Sequence, residues 1–226
     1  THYSLKAYLY LFPAIVILCV FVFYPIIMTL RMGFYESYVY LTDTGKGFGL
    51  SSFQYVLHDP AFQLAIRNTV IIVFVGVPIT IALALGTALF INSLVKGKGF
   101  FQTIYFLPYV TSTVAIGLVF RWLFHSDYGY INYFLSFLGI PAQKWLTNPN
   151  LSVFSVTIFT IWSGLAFKIV LFLAGLQKID KQYYQAARVD ETPPMRVFFR
   201  ITMPLLSSTF WMVAIVSVIH AFKTYN

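Results

Sequence analysis

Charged residues are scarce in this sequence, and acidic residues are the scarcest of them. Lys, Arg, Asp and Glu together make up 10% of the chain, and only seven residues are Asp or Glu. None of the seven falls inside a long apolar run. Proteins that couple transport to a proton or sodium gradient commonly carry intramembrane acids, so this distribution argues against that class.

The sequence has a single cysteine, and the common catalytic motifs are missing. The one cysteine, Cys19, permits no internal disulfide. The histidines are scattered and lack metal-ligand spacing. Gly45-Lys46 and Gly97-Lys98 lack the preceding glycine and the following Ser or Thr of a phosphate loop. We therefore expect no metal, no cofactor and no catalytic residues in this chain, which argues against a membrane enzyme.

Apolar residues are abundant instead. They make up 59% of the 226 residues, aromatic residues make up 19%, and the mean hydropathy is +0.77. This composition predicts an all-α, polytopic transmembrane helical bundle. About twenty residues cross the hydrocarbon core, and we treat 1–226 as a single transmembrane domain. Five predicted spans lie at about 8–28, 70–92, 103–124, 151–176 and 204–222.

Two features interrupt the apolar runs: a polar connection and a proline. A polar connection covers 30–68 and contains a predicted turn at Asp43–Gly47. Pro108 interrupts the third span.

The longest polar segment of the C-terminal half, about 177–203, predicts a helix, a turn and a helix. Tyr183–Val189 favours a helix. Thr192 and Pro193 each precede a proline, which disfavours helical backbone at both. A second helix can start with Pro194 in its first turn. Such a knob on the face of a membrane protein is suited to docking a soluble partner.

The stretch Gln185–Pro204, QAARVDETPPMRVFFRITMP, resembles the signature loop of permease subunits of binding-protein-dependent ABC importers. That pattern is Glu-Ala-Ala, three residues, Gly, nine residues, then Ile-x-Leu-Pro. The corresponding residues here are Gln185, Ala186, Ala187, Glu191, Ile201, Met203 and Pro204. Gln185 lacks the acidic group, and Glu191 replaces the glycine. If the turn requires a positive φ, Glu191 carries a steric cost there.

The resemblance covers nearly the whole chain and is to the carbohydrate-uptake branch, the maltose, glycerol-phosphate and multiple-sugar permeases. It extends to the first span, to Ala88–Val110, and to Gly129, Asn132, Gly139 and Trp145 in an outer loop. It implies the type I importer permease fold, with a sixth span after Asn226. The implied partners are a second, different permease, two cytoplasmic ATPase subunits that bind ATP with Mg, an extracellular solute-binding protein and membrane lipid.

The resemblance also implies roles for individual residues. The first short helix of the loop would sit in a cleft of the ATPase subunit, where small Ala186 and Ala187 allow close packing. Charged side chains would contact the rim of that cleft. The residues assigned to the ATPase-coupling loop are Gln185, Ala186, Ala187, Arg188, Asp190, Glu191, Arg196, Ile201 and Pro204.

Three residues are candidates for the translocation path. Lys168 is the one base deep inside a predicted span, where a charge is costly and suggests function. The alternative for Lys168 is snorkelling toward the cytoplasmic interface or pairing with a neighbouring subunit. Trp162 and Tyr109 could serve as aromatic platforms for a sugar, although most aromatic residues in membrane spans are packing or interfacial residues.

The basic residues predict the orientation. The N-terminus, the link with Lys96 and Lys98, and the 177–203 loop together carry more Lys and Arg than the opposite side. The positive-inside rule therefore predicts a cytoplasmic N-terminus and a cytoplasmic coupling loop in a bacterial or archaeal cell membrane. Topology explains the net charge of +8 better than nucleic-acid binding does.

We therefore interpret the chain as the transmembrane subunit of an ATP-driven importer for a sugar or related polyol delivered by an extracellular binding protein. ATP hydrolysis is expected in separate subunits. The alternative is an ion-gradient-driven secondary transporter or channel.

Overall fold

The computed structural model describes residues 2–39, 42, 44–94 and 96–223. The chain divides into two compact units, Thr1–Ile66 and Arg67–Asn226. Asn226, after which a sixth span is expected, lies outside the described residues.

The first unit consists of a long helix, a hairpin and a short helix. The long helix contains one π-helical turn, and the hairpin is antiparallel with Tyr35 opposite Phe48. The elements are α1 (His2–Leu18), π1 (Cys19–Phe23), α2 (Tyr24–Gly33), β1 (Tyr35–Val39), β2 (Thr44–Phe48) and α3 (Ser51–His58).

The hairpin corrects a prediction. Thr44–Gly47 form part of strand β2 rather than a turn, and Asp43 lies outside the described residues. Aromatic contacts stabilise the hairpin: the ring of Phe48 stacks on Phe34 at 5.7 Å between centroids and meets Tyr35 edge-on at 5.9 Å.

The regular secondary structure of the second unit is all helical among the residues that the structure describes. Its first helix, α4, begins at Pro60 within the first unit. The elements are α4 (Pro60–Ile71), π2 (Ile72–Gly76), α5 (Val77–Ser93), α6 (Lys98–Val110), α7 (Thr113–Leu123), α8 (Tyr130–Phe137), α9 (Pro149–Gln177), α10 (Lys181–Val189), α11 (Pro194–Val197), π3 (Phe198–Thr202) and α12 (Met203–Phe222).

Helix α9 is the centre of the second unit, because it packs against α5, α6 and α12. Phe172 and Ile169 on α9 are almost fully buried, as are Leu206 and Val213 on α12. Small residues allow these helices to approach closely. A side chain at Gly175 on α9 would collide with Thr209 on α12.

The membrane-spanning elements confirm the predicted all-α, polytopic fold class. Four described helical stretches are long and apolar enough to cross a membrane: Tyr8–Gly33, Pro60–Ser93, Pro149–Gln177 and Pro194–Phe222. A fifth span exists if α6 and α7 are counted together, but they meet at 95°. The third span is therefore broken, at Thr111 and Ser112, whereas Pro108 lies inside α6.

The three π-helical turns share one cause. They end at Phe23, Gly76 and Thr202, in each case two residues before a proline: Pro25, Pro78 and Pro204. Proline has no N–H to donate to the carbonyl four residues earlier, and its ring clashes with that carbonyl. Widening the preceding turn relieves the clash and keeps the helix continuous.

Candidate functional site: the coupling segment and the membrane path

Helix α10 begins at a side-chain cap. The Asp180 carboxylate Oδ1 accepts a hydrogen bond from the backbone N–H of Gln182 at 2.9 Å. This bond satisfies one of the free N–H groups of the first turn, and the negative charge is favourable at that helix end. The predicted helix at Tyr183–Val189 is thus found as Lys181–Val189.

Helix α10 ends in a Schellman motif, which explains the glycine of the signature pattern. The N–H of Thr192 donates to the carbonyl of Ala187 at 2.9 Å, and the N–H of Glu191 donates to Arg188 at 3.2 Å. This motif needs one residue with left-handed backbone just before Thr192, and Glu191 supplies it with φ = 49°. Glu191 therefore carries the predicted strain, on the order of 1–2 kcal/mol for a residue with a Cβ.

The structure separates the two alanines of the signature. Ala187 is 6% exposed, and Tyr184 beside it is half-buried. Ala187 therefore packs against its own chain and is not available to pack in a partner's cleft. The opposite side of α10, which is solvent-exposed, carries Gln185, Ala186 and Val189.

Val189 was not among the site residues predicted from the sequence, yet it is 84% exposed. Together with Ala186, it gives this side of the helix a small exposed apolar surface. We call Gln185, Ala186 and Val189 the outward face of α10. The helical spacing was the available signal, but it does not say which side faces outward.

Exposed charged residues lie close to the outward face in the chain. Arg188 lies in the last turn of α10 and Arg196 in the last turn of α11, and both are exposed, as are Asp190 and Glu191. Arg188, at the C-terminus of α10, interacts favourably with the dipole of that helix, whereas Arg196 lies in the first turn of the continuous helix Pro194–Phe222. All four side chains are accessible to the rim of a partner's cleft.

A hydroxyl pair links α10 to the last span. The Tyr184 hydroxyl and the Thr202 hydroxyl are 3.1 Å apart, and the pair is partly buried. Thr202 closes the π3 turn that contains Ile201, and Pro204 follows at the second residue of α12. We call 177–203, the predicted ATPase-coupling loop, the coupling segment. The signature residues Ile201 and Pro204 lie where this segment joins α12.

A cleft of about 460 Å³ lies beneath α10. Ala187 and Tyr184 line it from α10, and Leu89 and Asn92 line it from α5. Val197 and Phe198, which follow the turn, complete the wall. Helix α10 makes few contacts with any other single helix or strand.

Lys168, a candidate for the translocation path, folds back along α9. Its ammonium Nζ donates to the carbonyl of Gly164 at 3.0 Å. A side chain at Gly164 would collide with that ammonium, and Thr80 of α5 lies nearby. The side chain extends toward the N-terminal end of α9, so it does not snorkel toward the Gln177 end as the alternative interpretation supposed.

The two aromatic candidates lie on different parts of the α6–α7–α9 contact. The Tyr109 ring stacks on Phe167 with 5.5 Å between centroids. The Trp162 ring contacts Phe120 at 5.2 Å and lines a pocket of about 500 Å³ in the bend between α6 and α7. Both rings keep substantial exposure, at 54% and 39% respectively.

A third region is 124–148, between α7 and α9, which is predicted to be an outer loop. It is organised by Asn132. Its Oδ1 accepts from the backbone N–H of Gln143 at 3.0 Å and from Trp145 Nε1 at 2.8 Å. Its Nδ2 donates to the carbonyls of Ser126 at 2.8 Å and Gln143 at 2.9 Å. Asn132 is 6% exposed, so these bonds are shielded from water.

Among the residues that the structure describes, no three His, Cys, Asp or Glu side chains cluster to hold a metal ion. The structure provides an exposed helix α10, the Tyr184–Thr202 hydroxyl pair and Lys168 within a span. This arrangement suits mechanical coupling to a solute path.

Comparison with protein families gives one match. A family described as "binding-protein-dependent transport system inner membrane component" matches residues 95–225. This region covers α6 to α12 and includes the whole coupling segment.

Similar sequences cover almost the whole chain. The lactose transport system permease protein LacF of Rhizobium radiobacter is 32% identical, covering 100% of this chain and 75% of the relative. The arabinooligosaccharides transport system permease protein AraP of Bacillus subtilis (strain 168) is 34% identical, covering 99% and 72% respectively.

Similar solved structures cover the same length. A bacterial ABC transporter that imports the acidic polysaccharide alginate has a chain that aligns with a TM-score of 0.79 and 25% identity, over 98% of this chain and 75% of that one. The alginate ABC transporter in complex with alginate pentasaccharide-bound periplasmic protein aligns with a TM-score of 0.78 and 25% identity, over 96% and 72%.

Proposed function

The chain belongs to the family of binding-protein-dependent transport system inner membrane components, and from this we propose that it is the permease subunit of an ABC importer that takes up a sugar or related polyol. The solute is delivered by an extracellular binding protein. The family match favours this function over the ion-gradient alternative.

The names of the relatives support a carbohydrate solute. They include permeases for lactose, for arabinooligosaccharides and for trehalose and maltose. The exposed rings of Trp162 and Tyr109 are consistent with this class, because aromatic faces pack well against the C–H faces of sugars. Lys168, held on the Gly164 carbonyl, offers a donor within the membrane span.

The outward face of α10 is the observation that carries the coupling proposal. An exposed helix with Ala186 and Val189 outward, surrounded by Arg188 and Asp190, fits a cleft with an apolar floor and a charged rim. We propose that this cleft belongs to a cytoplasmic ATPase subunit. ATP and Mg would bind in that subunit, where hydrolysis would occur.

Motion is transmitted through the inward side of α10. When two ATPase subunits close on ATP, α10 moves with them. The Tyr184–Thr202 link and the continuous path through π3 carry that movement to α12. The spans then switch from inward-facing to outward-facing, which requires ATP to bind the two states with different affinity.

The orientation proposal follows from this assignment. The 177–203 segment must be cytoplasmic to meet an ATPase, which puts the N-terminus in the cytoplasm and the α7–α9 loop outside. The excess of Lys and Arg on the proposed inner side supports the same orientation. A second permease subunit, of a different sequence, completes the path.

Co-purification tests the docking surface. Ala186→Asp adds a charge to the outward face, and we expect it to abolish recovery of the ATPase subunit in detergent. Ala61→Asp is the matched control, because Ala61 is also an exposed helical alanine but lies on the opposite side in the proposed orientation. Equal recovery with the two variants would contradict the proposal.

A further inference from the structure

The outer loop between α7 and α9 contains a pocket that the proposed translocation path does not use. It has a volume of about 640 Å³, within the usual range for small-molecule sites. Aromatic side chains dominate its lining: Trp122 from α7, Tyr128 from the connecting turn, and Tyr130 and Tyr133 from α8.

The rings around this pocket are held in place. The Trp122 ring meets the Tyr130 ring edge-on at 4.8 Å between centroids. The Tyr128 ring stacks on His125 at 3.5 Å. Rings fixed in this way lose little conformational freedom when a ligand binds, so the pocket is preorganised.

The backbone beneath the rings is equally constrained. Asn132 lines the pocket and makes five hydrogen bonds that fix the loop. Gly129 also lines the pocket, and a side chain there would collide with the carbonyl oxygens of His125 and Leu123. The pocket therefore has a defined shape rather than one that a ligand must create.

Polar groups are interspersed among the rings. Asp127 and Ser136 line the same pocket and are exposed. A carboxylate facing acyl chains is costly, so Asp127 indicates that the pocket opens to water. An aromatic belt that only anchors the helix in the lipid headgroup region would not need an acid among its rings.

From this combination we propose that the pocket is a carbohydrate-binding site on the outer face of the permease, separate from the membrane path. Pyranose or furanose rings stack on Trp122 and Tyr133, and the Asp127 carboxylate accepts hydrogen bonds from sugar hydroxyls. The ligand is an oligosaccharide rather than a single sugar, because four aromatic rings offer more than one stacking surface. This inference rests on the proposed function for the class of solute and for the outward location of the loop.

The test uses the assembled importer, with its ATPase subunits, in lipid nanodiscs without binding protein or ATP. Saturation-transfer NMR measures binding of lactose, maltotriose and arabinotriose. We expect at least one probe to bind, and Tyr133→Ala and Asp127→Asn each to weaken it about tenfold. Phe134→Ala is the matched control, because Phe134 is on the same helix and comparably exposed but does not line the pocket.

Each outcome either supports or overturns the carbohydrate site in the outer pocket. Binding that survives Trp162→Ala and Phe134→Ala but fails with Tyr133→Ala supports the site. The inference is overturned if no probe binds, if Tyr133→Ala and Asp127→Asn bind like the unaltered chain, or if Phe134→Ala is equally damaging. ATP hydrolysis stimulated by sugar-loaded binding protein is measured in parallel. If that stimulation persists without outer-site binding, only this inference fails, whereas its absence from the unaltered importer overturns the proposed function.

Discussion

The two polar segments at the ends of α9 are built in opposite ways. Helix α9 has 29 residues and is therefore about 43 Å long. At its N-terminal end, the outer loop converges on buried Asn132 and its five hydrogen bonds. At its C-terminal end, α10 of the coupling segment lies over a cleft, and the hydroxyl pair of Tyr184 and Thr202 links it to π3.

The difference corresponds to two mechanical roles. A loop whose buried polar groups are all paired resists deformation, because opening it would expose several partners at once. A helix that rests on one polar link and a few apolar contacts can move as a unit at low cost. The outer loop is thus suited to be a fixed platform and α10 to be a lever.

The largest effect is expected at the platform. Asn132→Leu leaves the Gln143 and Trp145 N–H groups and two carbonyls without their partner, and we expect it to lower the free energy of unfolding by about 3 kcal/mol. Thermal unfolding in detergent measures this. Asn150→Leu, at an exposed position, is the control and should change little. Similar losses for the two variants would contradict the platform description.

A smaller effect on stability is expected at the lever. Tyr184→Phe removes the link to Thr202 and should cost about 1 kcal/mol of stability, while lowering the sugar transported per ATP several-fold. Transport and ATP hydrolysis measured together in proteoliposomes give that ratio. Tyr183→Phe removes an exposed hydroxyl from the adjacent residue and should leave the ratio unchanged. An unchanged ratio in Tyr184→Phe would mean that α10 is not coupled to α12 by this contact.

The smallest expected effect is a gain in stability at the turn after α10. Glu191→Gly relieves the left-handed backbone at the Schellman turn, and it should raise the free energy of unfolding by about 0.5–1 kcal/mol after the greater freedom of glycine in the unfolded chain is counted. Asp190→Gly is the opposite case, because Asp190 has φ = −78° and ψ = 5°. There the substitution should lower stability by about 0.5–1 kcal/mol. Shifts of the same sign at the two positions would refute the turn assignment.

Much of the coupling segment could be predicted because its signals are local. Pro193 and Pro194 restrict the backbone wherever they occur, and the apolar run after Pro194 is long enough to define a span. The conditional prediction for Glu191 also depended on local geometry alone, and its φ of 49° confirms it.

Other features depend on contacts that the sequence does not contain. Helical spacing places Ala186 and Ala187 on different sides of α10, but only packing decides that Ala187 is the buried one. The break in the third span lies at Thr111–Ser112 although Pro108 was the stronger local signal. The roles of Asn132 and of the Tyr184–Thr202 pair arise from residues 6 to 18 positions apart in the chain.

Thiol accessibility at Val189 tests the central claim most directly. In a Cys19→Ser background, Val189→Cys puts a single reactive thiol on the outward face of α10, and Ala61→Cys provides the matched exposed position. The account predicts that bound ATPase subunit protects the thiol of Val189→Cys from a maleimide reagent and leaves that of Ala61→Cys reactive. Equal labelling of the Val189→Cys variant with and without the ATPase subunit would contradict it.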